Sequence, residues 1–226
     1  MINKHRDYAN ELSFWSNFID SKDPWIDQML CNDLKFNKEL EDVCIMHFDN
    51  GSSLKICDVG CGPVSSIGYK SNFFTINIIG VDPLIIEYNK LLKEHNYTRP
   101  FISIAYDAEK LIEIFGENIF DVVHSRNSLD HTEDPISAIQ NCYDICKKNG
   151  LLFFRFMNNE ANNAGFTGLH QWNFTNIDSD IRISNNKNNI YSLKEILNIE
   201  NINISVQQLL IKDKFTEEII VYFSKQ

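Results

Sequence analysis

From about residue 54 to residue 157 the chain alternates short apolar runs with amphipathic segments, joined by short links. Ser53-Leu54-Lys55-Ile56-Cys57 leads into a glycine turn and predicts a buried strand. Residues 75–81 predict a second strand, followed by the helix signal Leu84, Tyr88, Leu91 and Leu92. Phe101-Ile102-Ser103-Ile104-Ala105, Phe120-Asp121-Val122-Val123 and Leu151-Leu152-Phe153-Phe154 predict a third, fourth and fifth. Before the fifth, Asp134-Pro135 opens a helix with Ile136, Ile139, Cys142 and Cys146 on one face. Lys147-Lys148 suit the last turn of that helix, and Gly150 stops it. Strands alternating with helices over short links need a parallel sheet covered on both faces, so the fold class is α/β.

The flanks refine this. Ile202, Ile204 and Val206 alternate with polar residues, and the run from Ile219 to Phe223 follows a short polar break from Lys212 to Thr216. So short a connection forces an antiparallel pair, because a parallel crossover takes a dozen or more residues. The Asn-rich stretch between the fifth strand and this hairpin predicts a long polar loop and a short helix. Residues 1–50 predict a helical cap anchored by Phe14, Trp15, Phe18, Trp25 and Phe36, and residues 51–226 form the main domain. The two tryptophans are expected in the core, with their helices packed over a cleft.

Charge and cysteine usage exclude several partners. Twenty-one basic against 31 acidic residues give a net charge of −10, with no basic stripe, which argues against nucleic acid and for a small-molecule partner. No apolar run approaches a membrane span, and the polar start M-I-N-K-H-R-D-Y is not expected to be a secretory signal. The six cysteines contain no C-x-x-C pair, so reduced thiols, a cytoplasmic location and no metal site are expected. His5, His47 and His95 are expected at the surface.

In open parallel sheets, ligands bind beyond the carboxyl ends of the strands. The first strand ends in Asp58-Val59-Gly60-Cys61-Gly62-Pro63, where glycines let the backbone turn sharply and a ligand approach the amides. The second ends in Asp82, 22 residues after Gly60, where a carboxylate would hold a ribose diol. The third ends near Asp107 and the fourth at Ser125. A nicotinamide dinucleotide is disfavoured, because Ser65 stands where the third glycine of its fingerprint would fall.

K-I-C-D-V-G-C-G-P, I-I-G-V-D-P, A-Y-D-A-E-K-L and F-D-V-V-H-S together resemble the successive motifs of class I S-adenosylmethionine-dependent methyltransferases, in their small-molecule branch. The resemblance implies a Rossmann-like, seven-stranded, mostly parallel sheet with a C-terminal antiparallel hairpin, and S-adenosylmethionine as cofactor. By the same resemblance Asp58, Gly60, Cys61 and Gly62 surround the methionine portion, Asp82 and Pro83 the ribose, Asp107 and Ala108 the adenine, and Ser125 the sulfonium region. R-N-S-L-D-H-T-E-D-P resembles the members of that family that methylate small molecules, and the segment from Asn158 to Phe174 resembles methyltransferases of bacterial surface-polysaccharide (capsule) biosynthesis. His131 and His170 are then the candidate catalytic residues, and Arg126, Asn127 and Glu160 the candidate substrate-binding ones. The implied activity is O-methylation of a small polar acceptor, sugar- or phosphate-linked. Alternatives are N-methylation of a small amine or RNA, or a non-catalytic cofactor-binding subunit.

Overall fold

The computed structural model describes residues 8–211 and 214–226, with side chains for 8–210 and 216–226. The first seven residues, with His5, and Lys212-Asp213 of the predicted break lie outside the described residues.

Strand β1 (Ser53–Val59), β2 (Thr75–Val81), β3 (Ile102–Ile104), β4 (Phe120–Arg126) and β5 (Cys146–Met157) pair parallel to one another. A second sheet follows, of β6 (Asn173–Ile177), β7 (Asp180–Ser184) and β8 (Ile190–Ser192), all antiparallel. Strands β9 (Asn203–Ile211) and β10 (Lys214–Ser224) then form the predicted hairpin, and β10 inserts antiparallel beside β5. The main sheet has the order β3-β2-β1-β4-β5-β10-β9. This is the Rossmann-like, seven-stranded, mostly parallel architecture that the motifs imply.

The sheet is buried on both faces because adjacent apolar residues diverge. Ile56 and Cys57, Val122 and Val123, Phe153 and Phe154, Ile220 and Val221 each send one member to either of two apolar clusters. That is the period of two that a strand imposes. Each fully buried Leu, Ile or Phe contributes roughly 1.5–3 kcal/mol, so both layers weigh in the stability.

The N-terminal segment splits between two roles. Helices α1 (Ala9–Asp20) and α2 (Pro24–Met29) pack beside Val64 and Leu92, near the carboxyl ends of the strands. Helix α3 (Lys38–His47) instead covers one sheet face with Leu40, Val43 and Cys44. The sheet's helices are α4 (Ile85–Glu94), α5 (Leu111–Phe115) and α6 (Pro135–Ile145); α7 (Glu160–Asn163) and α8 (Leu193–Leu197) are single turns. Among the described residues no helix is long and apolar enough to cross a membrane.

Three expectations need correcting here. Helix α6 stops at Ile145, and Cys146 already has extended backbone opposite Phe120 of β4. Lys147 therefore leaves the helix and pairs with Asp121 at 2.7 Å. The orphan carbonyls at the helix end are met by Lys225, whose Nζ donates to the Asp144 and Cys146 oxygens at 3.1 and 2.9 Å. The predicted polar loop is largely the second sheet, because Phe174, Ile181 and Ile183 turn their apolar sides into the main core. His47 and His95 are half-buried, His47 against the Asn149 carbonyl and His95 against Asp20.

Candidate functional site

Strand order reverses between β1 and β4, and a cavity of about 650 Å³ opens beyond the strand ends there. This is the crevice in which open α/β sheets take their ligands. One wall is backbone. Gly60 sits at φ +70°, and a Cβ there would lie 2.2 Å from Ser128 Cβ, so only glycine fits. Gly62, at φ +62°, would bring a Cβ to 3.4 Å from the Trp15 ring. Asp82 is pinned by two amides, Gly62 N donating to its Oδ2 at 3.1 Å and Leu84 N to its Oδ1 at 2.9 Å. Burial nevertheless pushes its carboxyl up to about 6. Pro83 and Cys61 complete this side.

Asp58 is buried at the cavity floor, and its Oδ1 lies 2.7 Å from Nδ1 of buried His124. His124 was not among the candidates read from sequence. It lies directly beside Asp58 in the parallel β1–β4 register, a pairing that no local spacing reveals. Two other candidates lie off the wall. Ser125 faces inward, its Oγ 2.7 Å from Ser128 Oγ, and Ser128 takes the wall position. Around Asp107 the wall takes Tyr106 and Ala108 but not the carboxylate between them.

The opposite wall is made of side chains from the loops after β4 and β5. Leu129 is fully buried and anchors a single 3₁₀ turn, Leu129–His131, while Thr132 Oγ1 donates back to the Leu129 carbonyl at 2.6 Å. This turn aims His131 at His170, with Nε2 and Nδ1 3.1 Å apart and the rings nearly perpendicular. Asp130, also absent from the sequence candidates, lies behind both, its Oδ2 3.0 Å from His170 Nδ1 and 3.3 Å from His131 Nε2. The hydrogen bond that His170 donates to Asp130 raises the His170 pKa. Glu160 Oε1 is 3.9 Å from the same nitrogen, and burial, then Asp130, raises its own carboxyl.

Asn127 and Arg126 line the cavity beside this cluster. Asn127 adopts φ +47°, and its Oδ1 is buried with no hydrogen-bond partner. Leaving such an oxygen unpaired costs about 1–3 kcal/mol, which a donor on a ligand would recover. Arg126 does not present a free charge. Its Nε donates to Glu218 at 3.3 Å, and the fully buried Glu218 is shared with Arg155, which also reaches Glu39. Trp15 and Trp25, read as core, pack in the N-terminal apolar cluster and also line the cavity.

Residues 35–199 match the methyltransferase domain family. The chain belongs to that family. Over 117 residues it is 31% identical to the mitochondrial ubiquinone biosynthesis O-methyltransferase of Rattus norvegicus, a span of 47% of this chain and 32% of the relative. Over 111 residues it is 32% identical to the ubiquinone biosynthesis O-methyltransferase of Histophilus somni, spanning 46% of this chain and 45% of the relative. The chain thus matches a third to just under half of these curated relatives' length. Both are named for ubiquinone biosynthesis and not for surface polysaccharides. Among solved structures, phosphoethanolamine N-methyltransferase 2 of Haemonchus contortus, in complex with phosphomonomethylethanolamine and S-adenosylhomocysteine, superposes with a TM-score of 0.53 at 13% identity. That match covers 86% of this chain and 54% of the other, and is a likeness of fold.

Proposed function

We propose that the protein transfers the methyl group of S-adenosylmethionine to a hydroxyl oxygen of a small, ring-bearing acceptor. One observation carries this reading: a single cavity has the glycine turn and Asp82 on one wall and the Asp130–His131–His170 cluster on the other. The first wall suits the cofactor, Asp82 accepting from the ribose hydroxyls and Asp58 facing the cationic amino-acid end. The second wall is then left for the acceptor.

The sulfonium makes the methyl carbon electrophilic, so the remaining task is to hold an acceptor oxygen in line with it. Positioning of this kind lowers the barrier by ~7–11 kcal/mol. A hydroxyl must also lose its proton, and an imidazole within reach contributes roughly 10²–10⁴ in rate. Since Arg126 is already matched by Glu218, an uncharged hydroxyl acceptor fits the wall better than a phosphate-bearing one. Phe14 and Trp25 on the cavity wall offer faces for a ring, whether sugar or phenol. The O-methyltransferase names of the relatives support oxygen as the acceptor atom.

Incubating the protein and methyl-labelled cofactor with a metabolite extract, then fixing the methyl linkage by mass spectrometry, tests the reading. His131→Ala or His170→Ala should lower turnover by at least about tenfold with S-adenosylhomocysteine affinity intact. Nitrogen-linked label would make it an N-methyltransferase. Cofactor binding without any transfer would favour a non-catalytic subunit, and failure to bind S-adenosylhomocysteine would overturn the reading altogether.

A further inference from the structure

We propose that Asp130, His131 and His170 form a binding site for one divalent first-row transition-metal ion on the acceptor wall. Three potential ligand atoms, from two loops 39 residues apart, converge on one point: Asp130 Oδ2, His131 Nε2 and His170 Nδ1 are separated pairwise by 3.0, 3.1 and 3.3 Å. Hydrogen bonding alone serves this triangle poorly. If both imidazole nitrogens carry protons toward the carboxylate, the two N–H groups face each other at 3.1 Å. If only one does, a single N–H must divide itself between an oxygen and a nitrogen, against the linear geometry that hydrogen bonds prefer. A cation satisfies all three lone pairs at once.

The dimensions agree. An ion held ~2.1 Å from each atom would see them at mutual angles of roughly 90–105°, three neighbouring positions of one coordination sphere. The other side of such a sphere is left to the cavity, where Glu160 lies 3.9 Å from His170 Nδ1 and an acceptor oxygen would enter. Two imidazoles with one carboxylate favour Zn²⁺, Co²⁺, Mn²⁺ or Fe²⁺ over Mg²⁺, which prefers oxygen ligands. The ligands are also held without an ion. His131 N donates to the Ser128 carbonyl at 3.1 Å, His170 N to the Thr167 carbonyl at 3.2 Å, and Gln171 clamps the Phe166 and Gly168 carbonyls. Such preorganised ligands meet the demand of a metal site for fixed geometry.

The site's role rests on the methyl-transfer reading; its existence does not. In that role the ion, whose binding occupies the two imidazole nitrogens, replaces a free imidazole base and acts as a Lewis acid on the acceptor hydroxyl. The O–H proton goes to water, and the oxygen electron pair forms the new C–O bond. The C–S pair returns to sulfur and neutralises the sulfonium.

The test is calorimetric titration of the chelator-stripped, full-length protein with Zn²⁺, and separately with Co²⁺ followed by visible absorption. One ion per chain is expected, with at least about tenfold weaker binding in Asp130→Asn and at least about 100-fold in the His131→Ala/His170→Ala pair. His170→Asn is the second variant, since that half-exposed residue is removable without emptying the core. Thermal melts check that every variant is folded. Absence of a 1:1 ion on the wild-type protein, or Zn²⁺ binding undiminished in the folded variants, overturns the site. S-adenosylhomocysteine titrated into the same samples separates the two readings. Metal binding without cofactor binding leaves the site standing and removes the methyl-transfer role, and the reverse does the opposite.

Discussion

The two walls of the cavity are built on different principles. The wall with Gly60, Gly62 and Asp82 is made of backbone at the ends of adjacent strands, and its parts lie within 22 residues of one another. The wall with His131 and His170 is made of side chains from separate loops, and it exists only once β4 and β5 lie side by side. The first leaves no room for an added atom at Gly60 and draws its side-chain chemistry from Asp82. The second has room but depends on which titratable groups meet. Substitutions at the glycines should therefore act through space and backbone angle, and those at Asp82 and on the second wall through chemistry.

Gly60→Ala should have the largest effect. An alanine at φ +70° carries a left-handed penalty of about 1–2 kcal/mol. Displacing Ser128, which would sit 2.2 Å from the new Cβ, adds the ~1–3 kcal/mol typical of overpacking. Gly51 is the control, with φ +86° and open space around it. Gly51→Ala should cost only a backbone penalty and leave cofactor binding unchanged. Equal loss of S-adenosylhomocysteine affinity in both variants, measured by calorimetry, would show that close approach at Gly60 is irrelevant to the ligand.

Asp82→Ala comes next. In the proposed reading its charge-assisted hydrogen bonds to a ribose diol would be worth about 1.5–3 kcal/mol, so S-adenosylhomocysteine should bind roughly 10–100-fold more weakly. Unchanged affinity would take Asp82 out of the cofactor wall.

This contrast also explains what the sequence disclosed. The glycine turn, Asp82 and the strands around them are legible because their constraints are local: a left-handed angle demands glycine, and a strand end presents a polar residue. The boundary at Cys146 is hidden because Cys142 and Cys146 keep a helical spacing even where the second already pairs with Phe120. The second sheet hid among asparagines, since the apolar positions that bury it, Phe174, Ile181 and Ile183, are few and widely set. The Asp58–His124 pair and the place of Asp130 behind two histidines come from register and loop packing between distant segments. The resemblance could nominate His131 and His170, but not the carboxylate that joins them.

On the acceptor wall, His131→Ala and His170→Ala should not be additive. The two nitrogens are 3.1 Å apart and share Asp130, and groups in one network typically couple by 0.5–3 kcal/mol. The double variant should turn over about as slowly as the worse single variant. Turnover falling by the product of the two single losses would mean that the histidines act separately.

The smallest effect expected is on pH, and it returns to the first wall. Burial holds Asp82 at about 6, well above its ordinary 3.8, so the folded protein without ligand retains that proton more tightly than the unfolded chain does. Its contribution to stability is accordingly present at low pH and declines as pH rises from about 4 through 6. Cofactor binding should run the other way, because in the proposed reading the ribose hydroxyls would donate to the ionised carboxylate. Affinity for S-adenosylhomocysteine should then be level above pH 7 and fall below pH 6, by at most about tenfold per unit. Asp82→Asn, which cannot ionise, should bind weakly but lose most of this slope. Calorimetry between pH 5 and pH 8 decides it, as a slope that survived in Asp82→Asn would assign the titration to another group on the wall.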